Sequence, residues 1–98
     1  MAVIKLVVEI EIPGAQSLKD RRRVVRSVKD KLRALFNIAV AEMDEGVVWN
    51  RVVLGIVAIS GSLDYVTGQM EEVDRAIDRF CSDLGAVVTD SYMEVLPN

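Results

Sequence analysis

The order of hydrophobic patterns along the 98-residue chain predicts an α+β fold. Two segments carry apolar residues at helical spacing, and four others have the composition of strands. Their order is strand, helix, strand, strand, helix, strand. This is typical of the ferredoxin-like βαββαβ arrangement, a four-stranded antiparallel sheet with two helices on one face. Right-handed crossovers would place the first and third strands at the centre. Residues 1–98 are predicted to form a single domain.

The first strand is predicted from the alternation of residues 2–12. Every even position there is apolar, whereas the odd positions mix valine with lysine and glutamate, so one face is buried and the other half-apolar. Pro13 and Gly14 end the strand, because proline cannot continue a hydrogen-bonded ladder. Ser17 then stands at the N-cap of the first helix, with Asp20 near its positive end. The core-facing stripe of this helix consists of Leu18, Val25, Val28, Leu32 and Leu35.

The second and third strands are predicted from composition and from one turn. Residues 37–44 have strand-like composition, and Glu45-Gly46 is expected to form a hairpin turn with the glycine in the left-handed conformation. The run from Val47 to Ser60 is apolar on both faces through its middle. It therefore predicts a long strand in the centre of the sheet.

The second helix has an unbroken pattern of apolar residues three and four positions apart, namely Leu63, Val66, Met70, Val73, Ile77, Phe80 and Leu84. Its exposed side is expected to be acidic, with Glu71, Glu72, Asp74 and Asp78. Cys81 follows Ile77 by one turn and is expected to be a buried apolar residue. Gly85 supplies the C-terminal stop, and residues 86–96 form the last strand.

The charge of the chain is concentrated in the first helix. Eight basic and two acidic side chains between Lys19 and Arg33 give that segment a formal charge of +6. The other four basic and thirteen acidic side chains give the rest of the chain −9. Such an asymmetry concerns partners and assembly rather than the fold.

The basic residues of this helix form a basic sector beside the apolar stripe, consisting of Lys19, Arg22, Arg23, Arg26, Lys29 and Arg33. One interpretation is a solvated or intersubunit surface. The other is an RNA-binding surface that contacts phosphates without reading bases. Arg21 is the exception, because its helical angle points it into the apolar stripe. There its guanidinium would need an acid or a carbonyl as partner.

The uncovered face of the sheet predicts self-association. It would present Val3 and Val7 of the first strand with Val53 and Val57 of the third. Aliphatic surface in water costs on the order of 25 cal/mol per Å². A second copy of the chain is the simplest cover, so a homo-oligomer, most simply a dimer, is expected.

The sequence lacks residues that many catalytic and metal-binding sites require. The sequence has no histidine and one cysteine, so the commonest general base and metal ligand at neutral pH is missing. Glu42, Asp44 and Glu45 are expected to be a solvated acidic turn rather than a cation site. We therefore expect no catalytic residues, no metal and no cofactor. The single cysteine fits a reducing cytoplasm, and no segment is expected to cross a membrane.

Three segments closely resemble the YlxP-like family of small bacterial proteins, which are described as a domain of unknown function. They are Ser17–Ser27 (SLKDRRRVVRS), Phe36–Glu42 (FNIAVAE) and Trp49–Gly55 (WNRVVLG). The resemblance implies a ferredoxin-like domain that tends to oligomerise. It also implies a gene near those of transcription and translation, and hence a ribosome-associated role. This chain departs from the family at Glu45–Val48, where a more polar insert is expected.

Two functions remain open. The first is a cytoplasmic, non-enzymatic accessory protein that binds ribosomal or other structured RNA through the first helix. The second is an oligomeric regulatory module that binds a small ligand, with the basic helix serving only as solvated or intersubunit surface. Salt-sensitive RNA binding would favour the first function, and an ordered small molecule between subunits would favour the second.

Overall fold

The computed structural model describes residues 1–97, so residue 98 of the predicted domain lies outside the described residues. The elements follow the predicted order: β1 (Ala2–Glu11), α1 (Leu18–Leu35), β2 (Ala39–Glu42), β3 (Arg51–Ser60), α2 (Leu63–Asp83) and β4 (Val87–Val95). The sheet order is β2-β3-β1-β4, with every neighbouring pair antiparallel. The ferredoxin-like fold, with the first and third strands at its centre, is confirmed.

Strand β1 organises the sheet because it pairs with β3 along its whole length and with β4 on its other side. Its alternation is as predicted, since Ile4, Leu6, Val8 and Ile10 are all buried beneath the helices. Because the even positions face the helices, the odd positions of β1 face away from them, on what we call the open face of the sheet. A register shift between Glu9 and Ile10 interrupts the pairing of β1 with β4.

The core lies between the sheet and the two helices. Helix α1 contributes Val25, Val28 and Leu32, and α2 contributes Met70 and Ile77, all almost fully buried. Each such side chain stabilises the fold by roughly 1.5–3 kcal/mol relative to exposure. Both ends of the predicted α1 stripe and the first residue of the predicted α2 stripe are exposed; they are Leu18, Leu35 and Leu63.

The predicted start of α1 at Ser17 and the predicted end of α2 at Gly85 are confirmed, and both depend on local chemistry. The Ser17 hydroxyl accepts the backbone N–H of Asp20 at 3.2 Å, and the Ser62 hydroxyl accepts that of Tyr65 at the same distance. Gly85 follows α2 with a φ of +73°, the conformation that a glycine stop supplies. Among the described residues, no helix is long and apolar enough to span a membrane.

The connection between β2 and β3 differs from the prediction. Strand β2 covers only Ala39–Glu42, β3 begins at Arg51, and residues 43–50 form a loop. Gly46 does not have the predicted positive φ. The reason is Asp44, whose carboxylate accepts the backbone N–H of Val53 at 2.9 Å and so replaces a tight hairpin turn with a longer loop.

Candidate nucleic-acid interface

Arg21 is buried and connects α1 to the sheet through hydrogen bonds. The residue is 5% exposed, which confirms that it points into the apolar stripe. Its guanidinium donates to Glu42 Oε1 at 2.8 Å, to Asp44 Oδ1 at 3.4 Å and to the carbonyl of Arg51 at 3.0 Å. We call this set of contacts the Arg21 clamp. It joins the first turns of α1 to the end of β2 and the start of β3.

The acidic residues of the clamp are not the solvated turn that the sequence predicts. The side chain of Asp44 is only 10% exposed, and Glu42 lies against both Arg21 and Lys29. The hydrogen bond from Arg21 lowers the pKa of Glu42 below its usual value, against an opposing effect of partial burial. Of the three acidic residues predicted to form the turn, only Glu45 is exposed and makes no side-chain hydrogen bond or ion pair among the described residues.

The predicted basic sector divides into two sets. Four of its six members are exposed and make no ion pair or side-chain hydrogen bond within residues 1–97; we call them the unpaired cations, namely Lys19, Arg22, Arg23 and Arg26. They lie on successive turns of the same side of α1, and all four line a shallow depression of about 590 Å³ on this helix. They span about 10 Å along the helix axis.

The other two members of the sector have partners in the same chain. Lys29 Nζ lies 3.5 Å from Glu42 Oε2. Arg33 donates to the carbonyl of Val40 at 3.1 Å and lies 3.9 Å from Asp30. Helical spacing places these cations in the sector correctly, and the i,i+3 contact of Arg33 with Asp30 lies within α1. The contacts with Glu42 and Val40 depend on where β2 lies and could not be predicted from α1 alone.

Lys31 was missed by the sequence analysis. Its helical angle excludes it from the basic sector, yet it lines the same depression as Lys19 and Arg23. Its ammonium also lies 5.4 Å from the centre of the Phe80 ring. That contact joins α1 to α2 and depends on helix packing, so no signal within α1 could have revealed it.

The loop at residues 43–50 exposes a cluster of large apolar side chains beside this helix. Val47, Val48 and Trp49 are each about half exposed, although the sequence predicts them inside a central strand. Their run of apolar residues does not by itself distinguish a buried strand from an exposed loop. Val47 lines a groove of about 520 Å³ together with Arg22, Arg26 and other residues of α1.

The open face of the sheet brings the four predicted interface valines together. Val3, Val7 and Val53 are half-buried and Val57 is 40% exposed, all on the two central strands. Two ion pairs lie on this face, with Lys5 at 3.6 Å from Glu94 and Arg51 at 3.2 Å from Glu9.

At the centre of this face Gly55 leaves room for the side chain of Met43, because a Cβ at position 55 would lie 2.8 Å from Met43 Cγ. The hollow around these two residues has a volume of about 460 Å³, and Lys5, Val7 and Tyr92 are among the residues that line it. The geometry suits a small apolar group, but it provides few polar partners.

Cys81 is buried, as predicted, and burial followed by the charge of Asp78 raises the pKa of its thiol to about 11. The thiol is therefore protonated at neutral pH and weakly nucleophilic. Within residues 1–97, no group of three or more histidine, cysteine, aspartate or glutamate side chains could hold a metal ion.

A sequence model of the family described as "Protein of unknown function (DUF503)" matches residues 3–90. The chain belongs to this family. The uncharacterized protein YlxP of Bacillus subtilis (strain 168) is 31% identical over 72 residues, which cover 74% of this chain and 78% of that protein. The resemblance to the YlxP-like family is thereby confirmed.

Solved structures share the fold of this DUF503 chain at low sequence identity. The YXEP protein of Bacillus subtilis, a dinuclear metal binding peptidase from the M20 family, is 12% identical with a TM-score of 0.61 over 98% of this chain and 26% of that chain. The de novo designed protein Foldit4 is 12% identical with a TM-score of 0.52 over 98% of both chains. The chain spans 44% and 26% of the first two solved chains that it matches. These similarities show the fold alone.

Proposed function

We propose that this protein is a non-enzymatic, cytoplasmic accessory protein that binds the phosphate backbone of ribosomal or other structured RNA through α1. The observation that carries the proposal is the contrast within one helix. Arg21, Lys29 and Arg33 have acidic or carbonyl partners, whereas Lys19, Arg22, Arg23 and Arg26 have none among residues 1–97.

The position of the unpaired cations argues against a role in stability. They lie in the N-terminal half of α1, where the helix dipole is positive and cations are unfavourable. They are also three and four residues apart, a spacing at which like charges destabilise a helix. Both costs are offset when an anion binds. Three of the four are arginines, whose planar guanidinium can contact a phosphate with two hydrogen bonds.

A pair of matched double variants tests the proposal. Arg22→Gln/Arg26→Gln removes two charges from the unpaired cations, and Arg75→Gln/Arg79→Gln removes two exposed charges with the same spacing from α2. The probe is a fully paired, blunt-ended RNA duplex, titrated at several salt concentrations. The α1 variant should flatten the slope of log K against log salt by about 1.4 to 1.8, since each phosphate contact contributes about 0.7 to 0.9. The α2 variant should leave the slope unchanged. Equal effects of the two variants would contradict a phosphate-binding role for α1.

Self-association through the open face belongs to the same proposal. Val3, Val7, Val53 and Val57 form an aliphatic surface. The two cations beside it, Lys5 and Arg51, are already paired within the chain, so a second copy could cover them without leaving either cation without a partner. Sedimentation of the parent protein at micromolar concentration should give a dimer, and Val57→Lys should give a monomer. A monomeric parent would contradict this part of the proposal.

A small-ligand module is the second candidate, and the hollow around Gly55 and Met43 favours it. A ligand there would contact aliphatic side chains and place a polar group near Lys5 or Tyr92. Screening the parent protein with small carboxylic acids, with Gly55→Val as the variant that fills the hollow, tests this alternative. Ligand binding that Gly55→Val abolishes, without any salt-dependent RNA binding, would favour the second function over the first.

A further inference from the structure

The loop at residues 43–50 exposes apolar side chains although it is firmly anchored. At its start, Asp44 bonds both Arg21 and the backbone N–H of Val53. At its end, the carbonyl of Asn50 accepts the backbone N–H of Ile12 at 2.8 Å, and Val48 forms an isolated bridge with Arg51. Trp49 is 53% exposed, and the backbone on both sides of it is held in place by these contacts.

One of the exposed apolar side chains of this loop adjoins the basic sector of α1. Val47 lines the same groove as Arg22, Arg26 and Lys29, and Trp49 follows two residues later on the same loop. The Arg21 clamp holds this loop against the first turns of α1. Cations and an exposed aromatic residue thus share one end of the molecule.

That combination selects a nucleotide with a free base as the occupant. A phosphate group would satisfy the unpaired arginines, and the face of an unpaired base would cover an indole ring. A base inside a duplex is already stacked on its neighbours and offers no face to Trp49. An acidic protein segment would satisfy the charges, but nothing in its acidic side chains would cover the indole.

We propose that Trp49 stacks on an unpaired base of the bound RNA while Arg22 and Arg26 contact the adjacent phosphates. This inference rests on the proposed function and narrows its target to RNA with a bulged or looped nucleotide next to a helix. Base stacking on an aromatic side chain changes affinity by roughly 5- to 160-fold per base.

The test uses the fact that the chain has one tryptophan, so intrinsic fluorescence reports on Trp49 alone. The probes are two blunt-ended RNA duplexes of equal length at low salt, one fully paired and one with a single bulged uridine, each carrying a dye that reports affinity for every variant. The bulged duplex should quench the fluorescence of Trp49 and bind more tightly than the paired one. Trp49→Ala should lose that preference, roughly 5- to 160-fold, without changing affinity for the paired duplex. Trp49→Phe should retain part of it.

Tyr65→Ala is the control, because Tyr65 is 67% exposed on α2, away from the unpaired cations. It should leave the preference intact, and circular dichroism should show unchanged folding for every variant. Equal binding of both duplexes by the parent, or an unchanged preference in Trp49→Ala, would overturn this inference and leave the proposed function standing. Absence of salt-dependent binding to either duplex would overturn both. A fluorescence change with anionic phospholipid vesicles but not with RNA would also overturn both, in favour of a membrane surface.

Discussion

Arg21 and its neighbour Arg22 have the same side chain on the same turn of α1, yet their environments are opposite. Arg21 is 5% exposed and has three partners on β2, β3 and the loop between them. Arg22 is exposed and has no ionic partner within residues 1–97. The fold therefore uses one cation to hold α1 against the sheet and leaves others unneutralised on its surface. The comparison separates basic residues that stabilise the fold from those that are available to a ligand.

The largest effect is expected at the Arg21 clamp. Arg21→Ala leaves Asp44 buried without its charge partner and removes the bond to the carbonyl of Arg51. We expect a loss of about 3 kcal/mol in the free energy of unfolding, whereas Arg22→Ala should change it by no more than about 0.5 kcal/mol. Urea unfolding of both variants measures the difference. Equal stabilities would show that the clamp contributes nothing and that the two arginines do not differ in role.

A smaller loss is expected at Asp44, which holds the loop. Its carboxylate accepts the N–H of Val53 and pairs with Arg21, so Asp44→Ala leaves a backbone donor and a buried guanidinium short of a partner. We expect about 2 kcal/mol of destabilisation, together with a changed fluorescence of Trp49 because the loop loses one anchor. Glu45→Ala is the matched control, since Glu45 is the next residue and is exposed. Should both variants be equally stable, Asp44 does not anchor the loop.

Sequence was most informative where structure depends on nearby residues. Ser17, Gly85 and the burial of Arg21 follow from capping, glycine conformation and helical angle, all of which are local. The exposure of Val47–Trp49 does not follow from local sequence, because an apolar run there also suits a central strand. It depends on the hydrogen bond from the backbone N–H of Val53 to Asp44, which holds residues 43–50 in a loop.

The partners of Lys29 and Arg33 show the same limit for the candidate site. Their helical spacing predicts a common face with Arg22 and Arg26, and the structure lines one groove with all four. Glu42 and the carbonyl of Val40, which contact Lys29 and Arg33, belong to a strand that the α1 sequence does not specify. Only the contact of Arg33 with Asp30 lies within α1. The basic sector predicted from the sequence is therefore larger than the set of unpaired cations that would be available to a ligand.

The pH dependence of stability offers a further distinction between paired and unpaired regions. The pKa of Glu42 is lower in the folded protein than its ordinary value of 4.5, because Arg21 stabilises the carboxylate. The unfolded state therefore binds this proton first, so the contribution of Glu42 is complete above about pH 4.5 and is lost as the pH falls through the lower, folded pKa. Glu42→Gln should weaken this acid sensitivity. Thermal unfolding between pH 3 and pH 7 would show it, and identical profiles for parent and variant would contradict a stabilising role for Glu42.

The smallest effect is expected at the unpaired cations themselves, and its sign is informative. Arg22→Gln/Arg26→Gln removes a like-charge pair at i,i+4 near the positive end of α1, so stability should rise slightly, by about 0.2 to 0.5 kcal/mol. The gain should be present at low salt and vanish at high salt, because screening removes the repulsion. Urea unfolding at two salt concentrations tests this. Arg75→Gln/Arg79→Gln removes cations at the same spacing from the C-terminal half of α2, where the helix dipole favours them, so this control should not gain stability. A loss of stability would mean that these arginines have partners in the folded protein, and α1 would then carry no surplus of charge for RNA to neutralise.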